Sequence, residues 1–229
     1  MIEVNRISKK YGRKMVLDEV SFTAEKGQIT CLVGINGVGK STVMKAIMRL
    51  TPISRGQILI DGRQLDERLY EKVVFIPDTL TIPAHMRIGE AMTFMQDFYT
   101  TWNERRAQEL LAFFKLKAEE RVGDLSKGNA AKVNLLLGLA LDADYILMDE
   151  PFSGIDMFSR EQIANVFTSH LIEDRGVLIT THEIQDIEHL IDKVVLLDRG
   201  KVLKQFYAEE TRLREGKSVV DVMREVYQA

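Results

Sequence analysis

The chain has 229 residues, 45% of them hydrophobic and 28% charged. This suits one large globular domain with an inserted subdomain and excludes a disordered, collagenous or fibrous chain. Its 31 Lys and Arg against 34 Asp and Glu leave a net charge of −3, so no overall basic field draws it to nucleic acid. The single cysteine, Cys31, excludes an internal disulfide and sits in an apolar run, where it reads as a small buried residue.

In chain order, the opening MIEVNRISKKYGRK has no apolar core of signal-peptide length. A strand is predicted at Ile29–Val33 (ITCLV), then a helix over Ser41–Leu50. Ile58–Ile60 is strand-like and runs into Asp61-Gly62, which reads as a hairpin turn. Val73–Ile76 is the next strand. From about 80 to 125 there is no strand pattern, only helical periodicity over Ile88–Phe98 and Glu104–Phe114. Trp102 and the phenylalanines there read as helix packing. A helix is expected from near Ala130, and the apolar stretch near Leu135–Leu141 falls far short of the ~20 residues of a bilayer span. Strands at Tyr145–Met148, Val177–Ile179 and Val194–Leu197 alternate with helices over Ser159–Glu173 and Glu183–Ile191. Asp198-Arg-Gly200 reads as a hairpin into Lys201–Phe206. Runs apolar at every position suit strands covered on both faces, so the expected class is α/β: a mainly parallel sheet with some antiparallel pairing and a helical insertion.

The strongest motif is Gly34-Ile35-Asn36-Gly37-Val38-Gly39-Lys40-Ser41-Thr42, which fits G-x-x-x-x-G-K-[ST] between a strand and a helix. The glycines let the backbone curl so that successive N–H groups point at phosphate oxygens. Lys40 offers a compact charge to β- and γ-phosphates, the Ser41 hydroxyl can ligate Mg²⁺, and the helix N-terminus adds its dipole. Such a loop sets the ligand class but not the task. Tyr145-Ile-Leu-Met-Asp149-Glu150 then ends an apolar strand in two acids, one suited to hold Mg²⁺ and the other to polarise an attacking water.

Four further segments carry a family resemblance. Leu125-Ser126-Lys127-Gly128-Asn129 resembles the LSGGQ signature of ATP-binding cassette (ABC) ATPases. Ser153-Gly154-Ile155-Asp156 resembles the family's D-loop, Thr180-Thr181-His182-Glu183 its switch histidine, and Tyr11 sits where the family places an aromatic that stacks on adenine. The resemblance implies a P-loop NTPase core with a mixed sheet and an N-terminal antiparallel β region over 1–78 and 130–229, and a helical subdomain over 79–129. It implies ATP and Mg²⁺ as cofactors, with ATP held by Tyr11, Gly34, Asn36, Gly37, Gly39, Lys40, Ser41 and Thr42, and Mg²⁺ by Ser41, Asp149 and Asp78. Glu150, His182 and Lys40 are the expected catalytic residues. Cassettes of this family pair head to tail, so Ser126 and Gly128 are expected to donate to the γ-phosphate of a second cassette's ATP.

Two departures stand out. The signature reads LSKGN, with Lys127 for a glycine, and Pro77-Asp78 follows the strand VVFI where the family carries glutamine. Asp78 can ligate a metal through water but, ionised, cannot donate as an amide does; three acids, Asp78, Asp149 and Glu150, would then lie near one Mg²⁺. The resemblance implies the ATPase subunit of a transporter, working on a separate membrane permease at the inner face of the membrane, with a second ATPase subunit and no nucleic acid. These variants, with Phe98-Tyr-Thr-Thr-Trp102-Asn, are similar to a bacterial subset that exports peptides or antimicrobials. The alternatives are a soluble ABC ATPase uncoupled from transport and a nucleotide-binding regulator without turnover. The short interval between the nucleotide motifs, without heptads or a Cys cluster, argues against the first, and Glu150 with His182 against the second.

Overall fold

The computed structural model describes residues 1–64, 66–172, 174–182, 184–185 and 187–228. Strands β1 (Ile2–Tyr11), β2 (Lys14–Ala24) and β4 (Arg55–Ile60) form an antiparallel sheet in the order β2-β1-β4. A second sheet has the order β5-β6-β7-β3-β8-β9, built from β3 (Ile29–Val33), β5 (Val73–Ile76), β6 (Tyr145–Asp149), β7 (Gly176–Thr181), β8 (Lys193–Asp198) and β9 (Lys201–Tyr207). It is parallel except for β9, which returns antiparallel to β8 through Arg199 and Gly200, both at positive φ as a two-residue hairpin loop requires.

The central strands are apolar throughout because both faces are covered, and alternate side chains enter two cores. Cys31, Val33, Ile146 and Met148 face the core built by α3 (Ile88–Phe98), α4 (Glu104–Phe113), α5 (Lys127–Leu139), α6 (Met157–Phe167) and α8 (Val219–Gln228). Leu32, Tyr145 and Leu147 face the other, where Val43, Met44 and Ile47 of α1 (Lys40–Ile47) lie against Ile2, Val4 and Leu17 of the antiparallel sheet. Each such aliphatic chain contributes about 1.5–3 kcal/mol, and truncating fully buried Leu147 to Ala would cost about 2–5 kcal/mol. Short helices α2 (Glu67–Tyr70) and α7 (Ala208–Glu215) complete the chain.

Every predicted strand forms, and α3 matches its predicted span. Five expectations change. The helix expected over Ser41–Leu50 is Lys40–Ile47. Asp61-Gly62 is a tight turn but not a hairpin between strands: β4 pairs with β1, and only the bridge Ile60–Arg63 closes behind it. The helix expected near Ala130 starts at Lys127, because the Ser126 hydroxyl accepts from Asn129 N and caps it; α5 therefore runs unbroken across 129 and 130. The helix expected over Ser159–Glu173 is Met157–Phe167, capped by the Asp156 carboxylate on Ser159 N. Of the helix expected over Glu183–Ile191, only a 3₁₀ turn at Glu188–Leu190 forms among the described residues; Glu173 and Glu183 lie outside them.

Candidate nucleotide-binding site

Strand β3 ends at Val33, the chain loops through residues 34–39, and α1 begins at Lys40. The glycines have separate causes. At Gly34 a Cβ would lie 2.4 Å from the Leu197 carbonyl oxygen, so the loop leaves the sheet backbone against backbone. Gly37 and Gly39 adopt φ of +83° and +115°, which side chains resist. No side chain caps α1, so its first N–H groups remain available to an anion.

Lys40 is 5% exposed and folds back over its own loop, donating to the carbonyls of Gly34 (2.6 Å) and Ile35 (3.3 Å). Its Nζ also lies 3.0 Å from Glu150 Oε1. That contact is ionic rather than directional, since Oε1 is buried and accepts no aligned hydrogen bond. The other carboxylate oxygen, Oε2, is 2.8 Å from His182 Nδ1, placing the Nδ1 proton on the Glu150 side of the ring. Glu150 takes a left-handed φ of 49°, unusual for a side chain. The bend lets its N–H reach both Thr180 Oγ1 (3.0 Å) and Thr180 O (3.1 Å). Thr180 in turn donates its hydroxyl to Asp149, which is 4% exposed. One threonine thus orients both acids, and the strained Glu150 backbone is held by β7.

Lys40, Glu150 and His182 face one cleft of about 840 Å³, whose walls also include Asn36, Ser41, Thr42 and Lys127; Asp149 and Thr180 are not part of its lining. Asp78 stands on its rim, exposed, beside Thr79. The described residues contain no group of three or more acids, histidines or cysteines able to hold a metal, so Asp78, Asp149 and Glu150 do not form the expected three-acid cluster. The donor set still suits Mg²⁺ in the way that ion is commonly held, by one carboxylate and a hydroxyl with phosphates and waters completing the shell. Ser126 is exposed and lines a separate depression with Arg87, Arg121 and Asn129. Gly128 is buried against α6, where a Cβ would meet Ser159 Oγ at 2.2 Å. Tyr11 does not line the cleft: its hydroxyl meets Thr51 Oγ1 at 3.2 Å and Lys9 Nζ lies 4.7 Å above its ring. Burial, with Glu150 adding to it, pushes the Cys31 thiol far up, which makes it inert packing.

Two residues take positioning roles that their sequence context did not assign. Thr180 is one: it lies inside the Thr180–Glu183 segment, where only His182 carried a role. Asn134 is the other: amid the apolar α5 it donates to Pro77 O at 2.6 Å and fixes the segment that carries Asp78.

The family described as ABC transporter matches residues 17–153, more than half of the chain. The chain belongs to the ABC transporter family. It is an ATP-binding subunit of that family and an ATPase, and its α/β fold is the family's P-loop NTPase core. The petrobactin import ATP-binding protein YclP of Bacillus subtilis (strain 168) is 30% identical over 92% of this chain and 88% of its own length. The linearmycin resistance ATP-binding protein LnrL of the same strain is 27% identical over 89% of this chain and 68% of its own. A solved ATP-binding subunit of an ABC transporter superposes with a TM-score of 0.88 at 27% identity, covering 99% of both chains. The dimeric cassette MJ0796, at 22% identity and a TM-score of 0.79 over 90% of this chain and 98% of its own, shows the shared fold. Among the described residues no helix is long and apolar enough to cross a membrane.

Proposed function

We propose that this subunit hydrolyses Mg²⁺-ATP to drive a separate membrane permease from the inner face of the membrane, in a head-to-tail pair of cassettes. The observation that carries this reading is the contact chain Lys40–Glu150–His182, assembled from the start of α1 and the ends of β6 and β7 in one cleft beside an uncapped helix N-terminus. Lys40 and the N–H groups of Gly37, Gly39 and Ser41 bind and orient the phosphates. Glu150 accepts the proton of the attacking water through Oε1, the oxygen left without an aligned donor. His182 holds the Glu150 carboxylate and steadies the charge that develops on the γ-phosphoryl group. Ser41 and Asp149 would hold Mg²⁺, with Asp78 on the cleft rim as a further candidate, and the ion would neutralise phosphate charge. Ser126, standing outside the cleft, serves the nucleotide of the partner cassette, and Tyr11 swings from Thr51 to cover the base.

The helical subdomain over 79–129 carries the signature between the two sites. The transported class we favour is a peptide or antimicrobial moved outward, a reading supported by the linearmycin-resistance relative and by the Pro77-Asp78 and LSKGN variants. The test is purification of the tagged chain from membranes. Recovery of a multispanning partner together with Mg²⁺-dependent ATPase activity is the expected result. A purely soluble chain that hydrolyses ATP alone would refute the coupling.

A further inference from the structure

Helix α8 carries Tyr227 to the foot of the phosphate loop. The Tyr227 hydroxyl lies 3.1 Å from Leu197 O and 3.4 Å from Val33 O. Val33 is the last residue of β3 before the loop, and Leu197 O is the carbonyl on which Gly34 rests. Two carbonyl oxygens therefore converge where the loop leaves the sheet, and one phenol proton bridges them. Without it both carbonyls would lose that donor in a partly buried place, where a lost hydrogen bond costs stability. Burial, with Asp198 nearby, pushes the phenol up to about 12, so it stays a donor at neutral pH. At the other end of α8, Val219 N donates to Glu188 Oε1 at 2.7 Å, in the segment that follows His182. Val219 is buried in the core shared with Val33, with Met223 and Val226 packed against it, which holds the helix against the sheet.

We propose that Tyr227 is a positioning residue of the nucleotide site, pinning the ends of β3 and β8 together so that the phosphate loop emerges with its N–H groups in register for the phosphates. This rests on the nucleotide-site reading above. The loop's contacts to phosphate are made alike in the bound ground state and the transition state, so loosening them weakens binding rather than the chemical step. Glu150 and His182 follow the ends of β6 and β7, whereas the Tyr227 hydroxyl bonds to β3 and β8.

The experiment compares the full chain with Tyr227→Phe, which removes only the hydroxyl, and with Ile163→Val, a fully buried truncation on α6 away from the loop. ADP affinity is measured by calorimetric titration, and KM and kcat for ATP in steady state. Tyr227→Phe is expected to weaken ADP binding and raise KM by roughly five- to tenfold, the worth of one such hydrogen bond, with kcat within about twofold of wild type. Ile163→Val should leave the affinity unchanged. Unaltered affinity in Tyr227→Phe, an equal loss in Ile163→Val, or a fall in kcat at constant KM would each overturn the proposal. A wild-type chain that binds no ADP would instead overturn the nucleotide-site reading and this one with it.

Discussion

Substituting Glu150 by Gln should separate binding from hydrolysis, and the two effects should have opposite signs. The side chain keeps its shape but loses its charge and its capacity to take a proton. If Glu150 is the general base, the hydrolytic rate falls by about 10²–10⁴-fold, or ~3–5 kcal/mol in barrier. Binding responds through Lys40. Lys40 Nζ lies 3.0 Å from Glu150 Oε1. An incoming phosphate must compete with that carboxylate. At this separation the attraction is about 5–6 kcal/mol for an effective dielectric of 20, an upper bound. Most of it is offset, because Lys40 keeps the Gly34 carbonyl, Glu150 keeps His182, and neither charge is fully solvated in either state. A residue of ~1–1.5 kcal/mol leaves ATP binding tighter by about fivefold to tenfold in the variant. Titration with ATP and single-turnover hydrolysis read the two effects separately. Wild-type turnover would place the base elsewhere; slowed turnover with unchanged affinity would refute the competition for Lys40.

Lys40→Ala should weaken nucleotide binding by about 30- to 100-fold, since the phosphates lose a charged donor; unchanged affinity in a direct titration would refute the site. Asp78→Gln and Asp78→Ala should both shift the Mg²⁺ concentration for half-maximal hydrolysis, with more turnover in the Gln variant; an identical Mg²⁺ dependence in both would make Asp78 a turn residue. Asp156 has its carboxyl held below the usual range by the Ser159 N–H and hydroxyl. Its stabilisation is therefore present above the unfolded value of about 3.9 and lost as pH falls through the folded one. Asp156→Ala should lower Tm at pH 7, with the gap narrowing in acid; a gap that widens in acid would contradict the assignment.

The strands were legible as short runs apolar at every position: ITCLV, YILM and VVLL suit strands covered on both faces, whereas the order β5-β6-β7-β3-β8-β9 is not written in them. The phosphate loop and Glu150 were legible because their chemistry demands particular residues at fixed spacing. What escaped was long-range. Asp61-Gly62 has hairpin chemistry, yet β4 finds its partner in β1, some fifty residues earlier, and local turn residues carry no record of that choice. Tyr11 matches by position, but its hydroxyl takes Thr51, a residue 40 positions away. Asn134 reads as a lone polar residue in an apolar helix until Pro77 O is found beside it.

Helix α5 brings these threads into one element. Its N-terminus presents Ser126 and Lys127, and the next residue, Gly128, stands where Ser159 and Asp156 occupy the space a Cβ would need. Farther along, Asn134 grips the backbone of Pro77. The signature, the Ser153–Asp156 segment and the segment bearing Asp78 are therefore all in contact with a single rigid helix. A displacement of Asp78 toward a bound metal would pull on Pro77, hence on Asn134, and would move Ser126 and the α6 N-terminus with it. Asn134→Leu keeps the side-chain volume while deleting the amide, so it should leave nucleotide affinity near wild type and lower turnover. Equal loss of both would show that Asn134 supports the cleft as a whole rather than the Pro77-Asp78 segment.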